Sequence, residues 1–135
     1  MKPMYLLWTA LACAALVTRT NAQAWLPSKN IEIIHGSAPG GSNDKTAREL
    51  EKALTETRLI PASMTVVSKS GGGGSVSMAY ANTHPGDGHY LLIGGSTMIS
   101  NHIIGTSKMS YTDFTPIASL MNDYIVFAVP AGSDR

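Results

Sequence analysis

The stretch Ile31-Glu32-Ile33-Ile34-His35-Gly36-Ser37-Ala38-Pro39-Gly40-Gly41-Ser42-Asn43-Asp44 decides the fold. A short apolar run, Ile31 to Ile34, gives way to a turn rich in Gly and Ser. A helical pattern then runs from Lys45 to Glu56. Ser42 suits an N-cap, and Asp44 suits the first helical turn. Ala47, Leu50, Ala53 and Leu54 recur at helical spacing, while Arg48, Glu49, Glu51 and Lys52 fill the other face. Arg58 falls near the helix end, where its charge complements the dipole, and Pro61 stops any continuation. The unit reads as strand, glycine turn, helix.

The arrangement recurs along the chain. Met64 to Ser68 reads as a second strand, Ser70-Gly71-Gly72-Gly73-Gly74-Ser75 as its turn and Ser75 to Asn82 as a short helix. After the turn cluster His84-Pro85-Gly86-Asp87-Gly88, Tyr90 to Ile93 reads as a third buried strand. Gly94-Gly95-Ser96-Thr97 opens a third loop at its end. A short helical turn is predicted from Met98 to Ile104, with Ile99, Ile103 and Ile104 in the core and Met98 lining a pocket. Tyr111-Thr112-Asp113-Phe114 reads as a loop that seats an aromatic. Pro116 to Leu120 and Tyr124 to Val129 read as two further strands. Alternating strands and helices predict an α/β domain with a largely parallel sheet and flanking helices.

In such sheets ligands bind beyond the carboxyl ends of the strands. By sequence order all three Gly/Ser loops fall at that edge, which points to a binding site rather than three ordinary connections. Glycine lets another molecule approach the main chain, and a helix N-terminus offers unpaired N–H groups with partial positive charge. The predicted ligand is therefore an anion, with carboxylate or phosphate as candidates.

Other chemistries fit poorly. The net charge is +1 and no basic stripe with interleaved aromatics occurs, which argues against nucleic acid. Gly36 and Gly41 have the spacing of a P-loop, but Ser42 stands where its lysine is needed, and Lys45-Thr46 comes too late. Starting at Gly71, a dinucleotide fingerprint fails because Val76 occupies its last glycine position. Around Ser96 a nucleophile elbow fails because Met98 replaces the final glycine. The four histidines, His35, His84, His89 and His102, show no metal-ligand spacing. His84 and His89 flank a turn and are expected to be exposed. His35 ends the first strand, where it either faces the ligand or is partly buried and bonded to backbone. No metal, catalytic residue or cofactor is predicted.

Residues 1–24 read as a secretory signal. Lys2 gives a positive start, Met4 to Val17 is apolar apart from Thr9, and Ala22-Gln23-Ala24 is a cleavage box. The mature chain is expected to begin at Trp25 and to be periplasmic, without membrane insertion after cleavage. Twin arginines are absent, so general secretion is the expected route. The single cysteine, Cys13, lies within the signal. Ala10-Leu11-Ala12-Cys13 resembles a lipoprotein signal only faintly, because the first position is Ala and the preceding apolar stretch is short. The mature part, of about 110 residues, is enough for one modest core.

Trp25-Leu26-Pro27-Ser28-Lys29, Ala38-Pro39-Gly40-Gly41-Ser42-Asn43-Asp44 and the glycine run 71–74 together resemble the Bug family. These are periplasmic solute receptors of tripartite tricarboxylate transporters. His84-Pro85-Gly86-Asp87-Gly88-His89-Tyr90-Leu91-Leu92 is similar to that family's P-D-G-Y-T-L-L segment. Gly95-Ser96-Thr97 with Asn101 fits its third binding loop, and Asp113-Phe114-Thr115-Pro116-Ile117-Ala118 its D-F-x-P-V-A segment. The pieces occur in the family's order along the whole mature chain.

The resemblance implies the N-terminal lobe of a two-lobe, type II periplasmic binding fold, over residues 25–135. The second lobe is expected to be missing from this chain, which reads as a fragment or a truncated product. The resemblance also implies a small carboxylate ligand and, as partners, the membrane components of the transporter. First-loop contacts implied are Ser37, Ala38, Gly40, Gly41, Ser42 and Asp44. Third-loop contacts are Gly95, Ser96, Thr97 and Asn101, with Gly73 and Gly74 lining the cleft from the side. One departure is local. Gly36-Ser37 stands where the family has Pro-Phe, replacing an aromatic wall with a hydroxyl that favours a smaller or more polar ligand. Two other classes remain open at this point: an exported hydrolase or transferase using Ser96 or a histidine, and a remnant that binds nothing.

Overall fold

The computed structural model describes residues 25–124 and 126–133. The predicted signal and Cys13 lie outside the described residues. The order of elements is β1 (Ile31–His35), α1 (Ser42–Glu56), β2 (Met64–Ser68), a 3-10 turn (Gly72–Gly74), α2 (Ser75–Asn82), β3 (Tyr90–Ile93), α3 (Thr97–Ile103) and a second 3-10 turn (Tyr111–Asp113). The three strands form a parallel sheet in the order β2-β1-β3. Ile33 of β1 sits between Val66 of β2 and Leu91 of β3.

The central strand is buried on both faces, which explains why it reads as a continuous apolar run. Ile31, Ile33, Ile34 and His35 are all buried, and Ala47 and Met78 complete the core from α1 and α2. Strand side chains alternate between faces. His35 meets Asp44 of α1, whereas Glu32 accepts a hydrogen bond from the Tyr80 hydroxyl of α2 at 2.8 Å. The two helices therefore cover opposite faces, as right-handed crossovers running in opposite directions require. That reversal makes the carboxyl ends of β1 and β3 the switch point of the sheet.

The amino edge is closed by an N-terminal strap. Ser28 N–H donates to His89 Nε2 at 3.0 Å, His89 Nδ1 lies 2.6 Å from Asp87, and the Trp25 ring meets the His89 ring edge-on at 5.2 Å. Lys29 pairs with the other Asp87 oxygen at 2.8 Å. Lys29 foremost, and then His89, hold the Asp87 carboxyl well below the usual range. His89 is thus buried rather than exposed as predicted, because it ties two segments together. His84 is half-buried and stacks on Tyr90 with ring centroids 3.7 Å apart, also against expectation.

Other differences from the sequence reading are local. α1 begins at Ser42 and not at Lys45, with Gly41 as its N-cap. Ser42 makes no side-chain cap. The Ser37 hydroxyl, seven residues upstream of Asp44, accepts the Asp44 N–H instead. Arg58 lies beyond the helix in the left-handed region, with φ 52°. Ile99, Ile103 and Ile104 are exposed and not in the core. Ile99 and Ile103 lie on α3, which packs chiefly against the first 3-10 turn, and Ile104 is its C-cap.

The two strands predicted at 116–120 and 124–129 do not form among the described residues. Ile117, Leu120, Tyr124, Val126, Phe127 and Val129 are all exposed, and an apolar run without a neighbour to pair with has nothing to hold it extended in a sheet.

Candidate functional site

The site is built on the loop after β1. His35 is fully buried, with Nδ1 3.2 Å from Ser37 Oγ and Nε2 3.1 Å from Asp44 Oδ1. The His35–Asp44 approach is close without the alignment of a good hydrogen bond. The other Asp44 oxygen accepts the Gly40 N–H at 2.8 Å and Arg48 Nε at 3.3 Å. Arg48 also reaches Oδ1 at 3.1 Å. The Gly40 N–H, and secondarily Arg48, hold the Asp44 carboxyl below its ordinary value, against the opposing effect of its burial. Gly41 N–H closes a turn on the Ala38 carbonyl at 3.0 Å.

The N–H groups of Gly40, Gly41 and Asp44 are therefore taken up within the loop. Helix geometry leaves those of Ser42 and Asn43 without an intrahelical acceptor.

Two close approaches knit the three loops. A Cβ on Gly36 would sit 2.6 Å from Gly74 Cα and 2.7 Å from Ser77 Oγ, so only glycine lets the first loop touch the second. Gly73, at φ 61°, lies under the side chain of Asn101, whose Nδ2 donates to its carbonyl at 2.9 Å and to that of Gly72 at 3.3 Å. Asn101 staples α3 to the second loop.

Between the loops lies a cleft of about 270 Å³ at the carboxyl edge of β1 and β3. The first loop contributes Ser37, Ser42 and Asn43; the second contributes Gly73, Gly74 and Ser77; the third contributes Gly94, Gly95 and Thr97. Met78, Leu92, Ile93 and Met98 form the apolar floor. No charged side chain lines this cleft among the described residues. Of the residues expected from sequence, Ser37, Ser42, Gly73, Gly74, Gly95 and Thr97 are brought together here.

The remaining expected residues lie apart from it. Asp44 is 4% exposed and turned into its own loop. Ala38, Gly40 and Gly41 shape that loop from behind, and Asn101 holds the second one. Ser96 lines a neighbouring hollow of about 400 Å³ with Thr46, Met121 and Asp123. Asn43 lies within the first-loop span Ser37 to Asp44 expected from sequence, whereas sequence reasoning missed Ser77 and the His35–Asp44–Ser37 chain. The signal for that chain was present: a polar residue at the end of a central strand needs a partner once buried.

The order hydroxyl, imidazole, carboxylate is that of an acyl-transfer triad. It assembles on Ser37 and not on Ser96. Two features oppose a nucleophilic role. Ser37 Oγ already accepts the Asp44 N–H at 3.2 Å, and Asp44 is committed to Arg48 and Gly40. Among the described residues no group of His, Cys, Asp and Glu is placed to hold a metal ion, and no helix is long and apolar enough to cross a membrane.

No family model and no solved structure matches the chain. The chain is similar to the "UPF0065 protein in tcbD-tcbE intergenic region" of Pseudomonas sp. (strain P51), at 28% identity over 126 residues. The match covers 92% of this chain and 37% of that protein, so the chain spans little more than a third of the relative's length. UPF0065 is the family name of the Bug proteins, and the similarity supports the resemblance at the level of that family.

Proposed function

We propose that the chain forms the N-terminal lobe of an extracytoplasmic solute receptor, of the type II binding-protein fold. In this reading it captures a small organic carboxylate for a tripartite tricarboxylate-type transporter. One observation carries it. Three Gly/Ser loops converge on one uncharged cleft at the switch point of the sheet, with the start of α1 on its wall. A carboxylate there would accept charge-assisted hydrogen bonds from main-chain N–H groups and hydroxyls, without an arginine. The volume is at the small end for a ligand pocket, which suits a ligand of a few carbons. The family-level similarity supports a binding protein rather than an enzyme. The opposite wall of the cleft is proposed to come from a second lobe. Residues 1–24 are proposed as the export signal.

A second reading, an exported acyl hydrolase, is favoured only by the proximity of Ser37, His35 and Asp44. One pair of measurements separates the two. Calorimetry against a panel of small carboxylates should give saturable heat of binding. Incubation with p-nitrophenyl acetate should give no more p-nitrophenol than a Ser37→Ala control. Turnover above that control, with no carboxylate binding, would replace the receptor with the hydrolase.

A further inference from the structure

We propose that Asn101 is a positioning residue for the cleft. It lies outside the cleft wall, fixes the glycine run at 71–74 in one conformation, and thereby sets the affinity of the site. The proposal rests on the receptor reading and names a residue that controls binding without touching the ligand.

The run is the part of the cleft with least to hold it. Gly71, Gly72, Gly73 and Gly74 have φ of 131°, 54°, 61° and 99°, all in the region that favours glycine. They have no side chains to pack, and glycine loses more conformational freedom on ordering than any other residue. Turn bonds supply part of the hold. Gly74 N–H donates to the Gly71 carbonyl at 3.0 Å, and Ser75 N–H donates to that of Gly72. Asn101 supplies the rest. Its Nδ2 lies 2.9 Å from the Gly73 carbonyl oxygen and 3.3 Å from that of Gly72. Both oxygens only accept, so the amide faces them with its two N–H groups.

The anchor is itself fixed. The Asn101 carbonyl accepts the N–H groups of Thr106 at 2.9 Å and Ser107 at 3.0 Å, and the Thr106 hydroxyl at 3.1 Å. Asn101 and Thr97 stand four residues apart on α3, hence on one face. That face sets Asn101 against Gly73, and Thr97 beside Gly74, where a Cβ would lie 3.9 Å from the Thr97 hydroxyl. Gly73, Gly74 and Thr97 all line the cleft, whereas Asn101 does not. Removing the amide therefore loosens two walls at once. Only the ordered fraction of the run then presents the binding surface, and the apparent affinity falls by that fraction.

The test compares the native full chain with Asn101→Ala and Asn101→Asp, with succinate as the probe in an amide-resolved NMR titration. Asn101→Ala should weaken succinate binding about fivefold, the worth of one or two exposed hydrogen bonds. Asn101→Asp keeps the size but turns a carboxylate on two carbonyl oxygens, and should weaken binding at least as much. In both variants the heteronuclear NOE of Gly72 to Gly74 should fall while the urea midpoint holds, because Asn101 lies outside the core. Gly73→Ala, whose Cβ would meet Nδ2 at 2.7 Å, breaks the same contact from the other side. Its effect on affinity should be smaller in the Asn101→Ala background than in the native chain.

An unchanged NOE in Asn101→Ala would overturn the proposal whatever the ligand does, and weaker binding beside it would make Asn101 a direct ligand contact. A looser run with unchanged succinate affinity would overturn it as well. If the native chain binds no succinate, the receptor reading fails, and the NOE comparison alone decides whether Asn101 fixes the run.

Discussion

At the residue scale, the site depends on atoms that are missing as much as on atoms that are present. Gly36 touches Gly74 where any side chain would meet main chain. Gly36→Ala forces the first and second loops apart, and we expect a loss of about 1–3 kcal/mol, the usual cost of overpacking a rigid contact, read as a lower urea midpoint. Asp44 carries the pH dependence. Its folded-state value is depressed, chiefly by the Gly40 N–H and then by Arg48. Its stabilisation is complete above the unfolded value, about 3.9, and is lost as pH falls through the lower folded value. Urea midpoints should therefore fall between pH 5 and acid conditions, and Asp44→Asn should lessen that fall while lowering stability at pH 7. An unchanged acid slope in the variant would assign the effect to Asp87 alone, whose carboxyl is depressed in the same direction. The glycines and Ser37 were legible from sequence as a loop at a strand end. The partnership of His35 with Asp44 was not, because it depends on how α1 swings back over the strand it follows.

At the element scale, the three strands and the helices joining them follow from period and punctuation. β1 is largely apolar because both its faces are covered, its polar Glu32 and His35 being partnered by Tyr80 and by Ser37 and Asp44, and the glycine runs fall where the strands end. The sequence failed where apolar content lacked a partner. Ile99, Ile103 and Ile104 have the spacing of a buried stripe, yet α3 lies at the rim. The runs at 116–120 and 124–129 have strand composition, yet among the described residues they pair with no strand. Composition states what a segment would bury and not whether a surface is there to receive it.

Two predictions belong to this scale. Arg58 holds a left-handed conformation after α1, which costs a residue with a Cβ about 1–2 kcal/mol. Arg58→Gly should raise stability by about 0.5–1 kcal/mol in equilibrium unfolding. The strap at 25–30 is held by the acceptor nitrogen of His89. His89→Ala should expose the Ser28 amide, and its hydrogen exchange should accelerate about tenfold or more while amides of β1 keep their protection.

At the scale of the whole molecule, the core is small. Five apolar side chains are buried among the described residues, and each contributes about 1.5–3 kcal/mol at most. Tyr124, Val126, Phe127 and Val129 are exposed at the same time. We therefore expect this chain to bind a hydrophobic dye and to self-associate, seen as a concentration-dependent sedimentation coefficient. The proposed export signal makes a separate prediction: protein recovered from the periplasm should have an intact mass that begins at Trp25.

The central claim is that the cleft between the three loops holds a carboxylate. The most direct measurement is a succinate titration followed by the backbone amide resonances of the full chain, carried to tens of millimolar. Held by the one wall these residues form, succinate should bind at about millimolar affinity, near −4 kcal/mol. The account predicts saturable shifts centred on Ser42, Asn43, Gly74 and Thr97, with the strap amides at 26–30 unmoved. Saturable shifts centred on the strap, or no shift at all while sodium chloride at equal ionic strength gives the same spectrum, would contradict it.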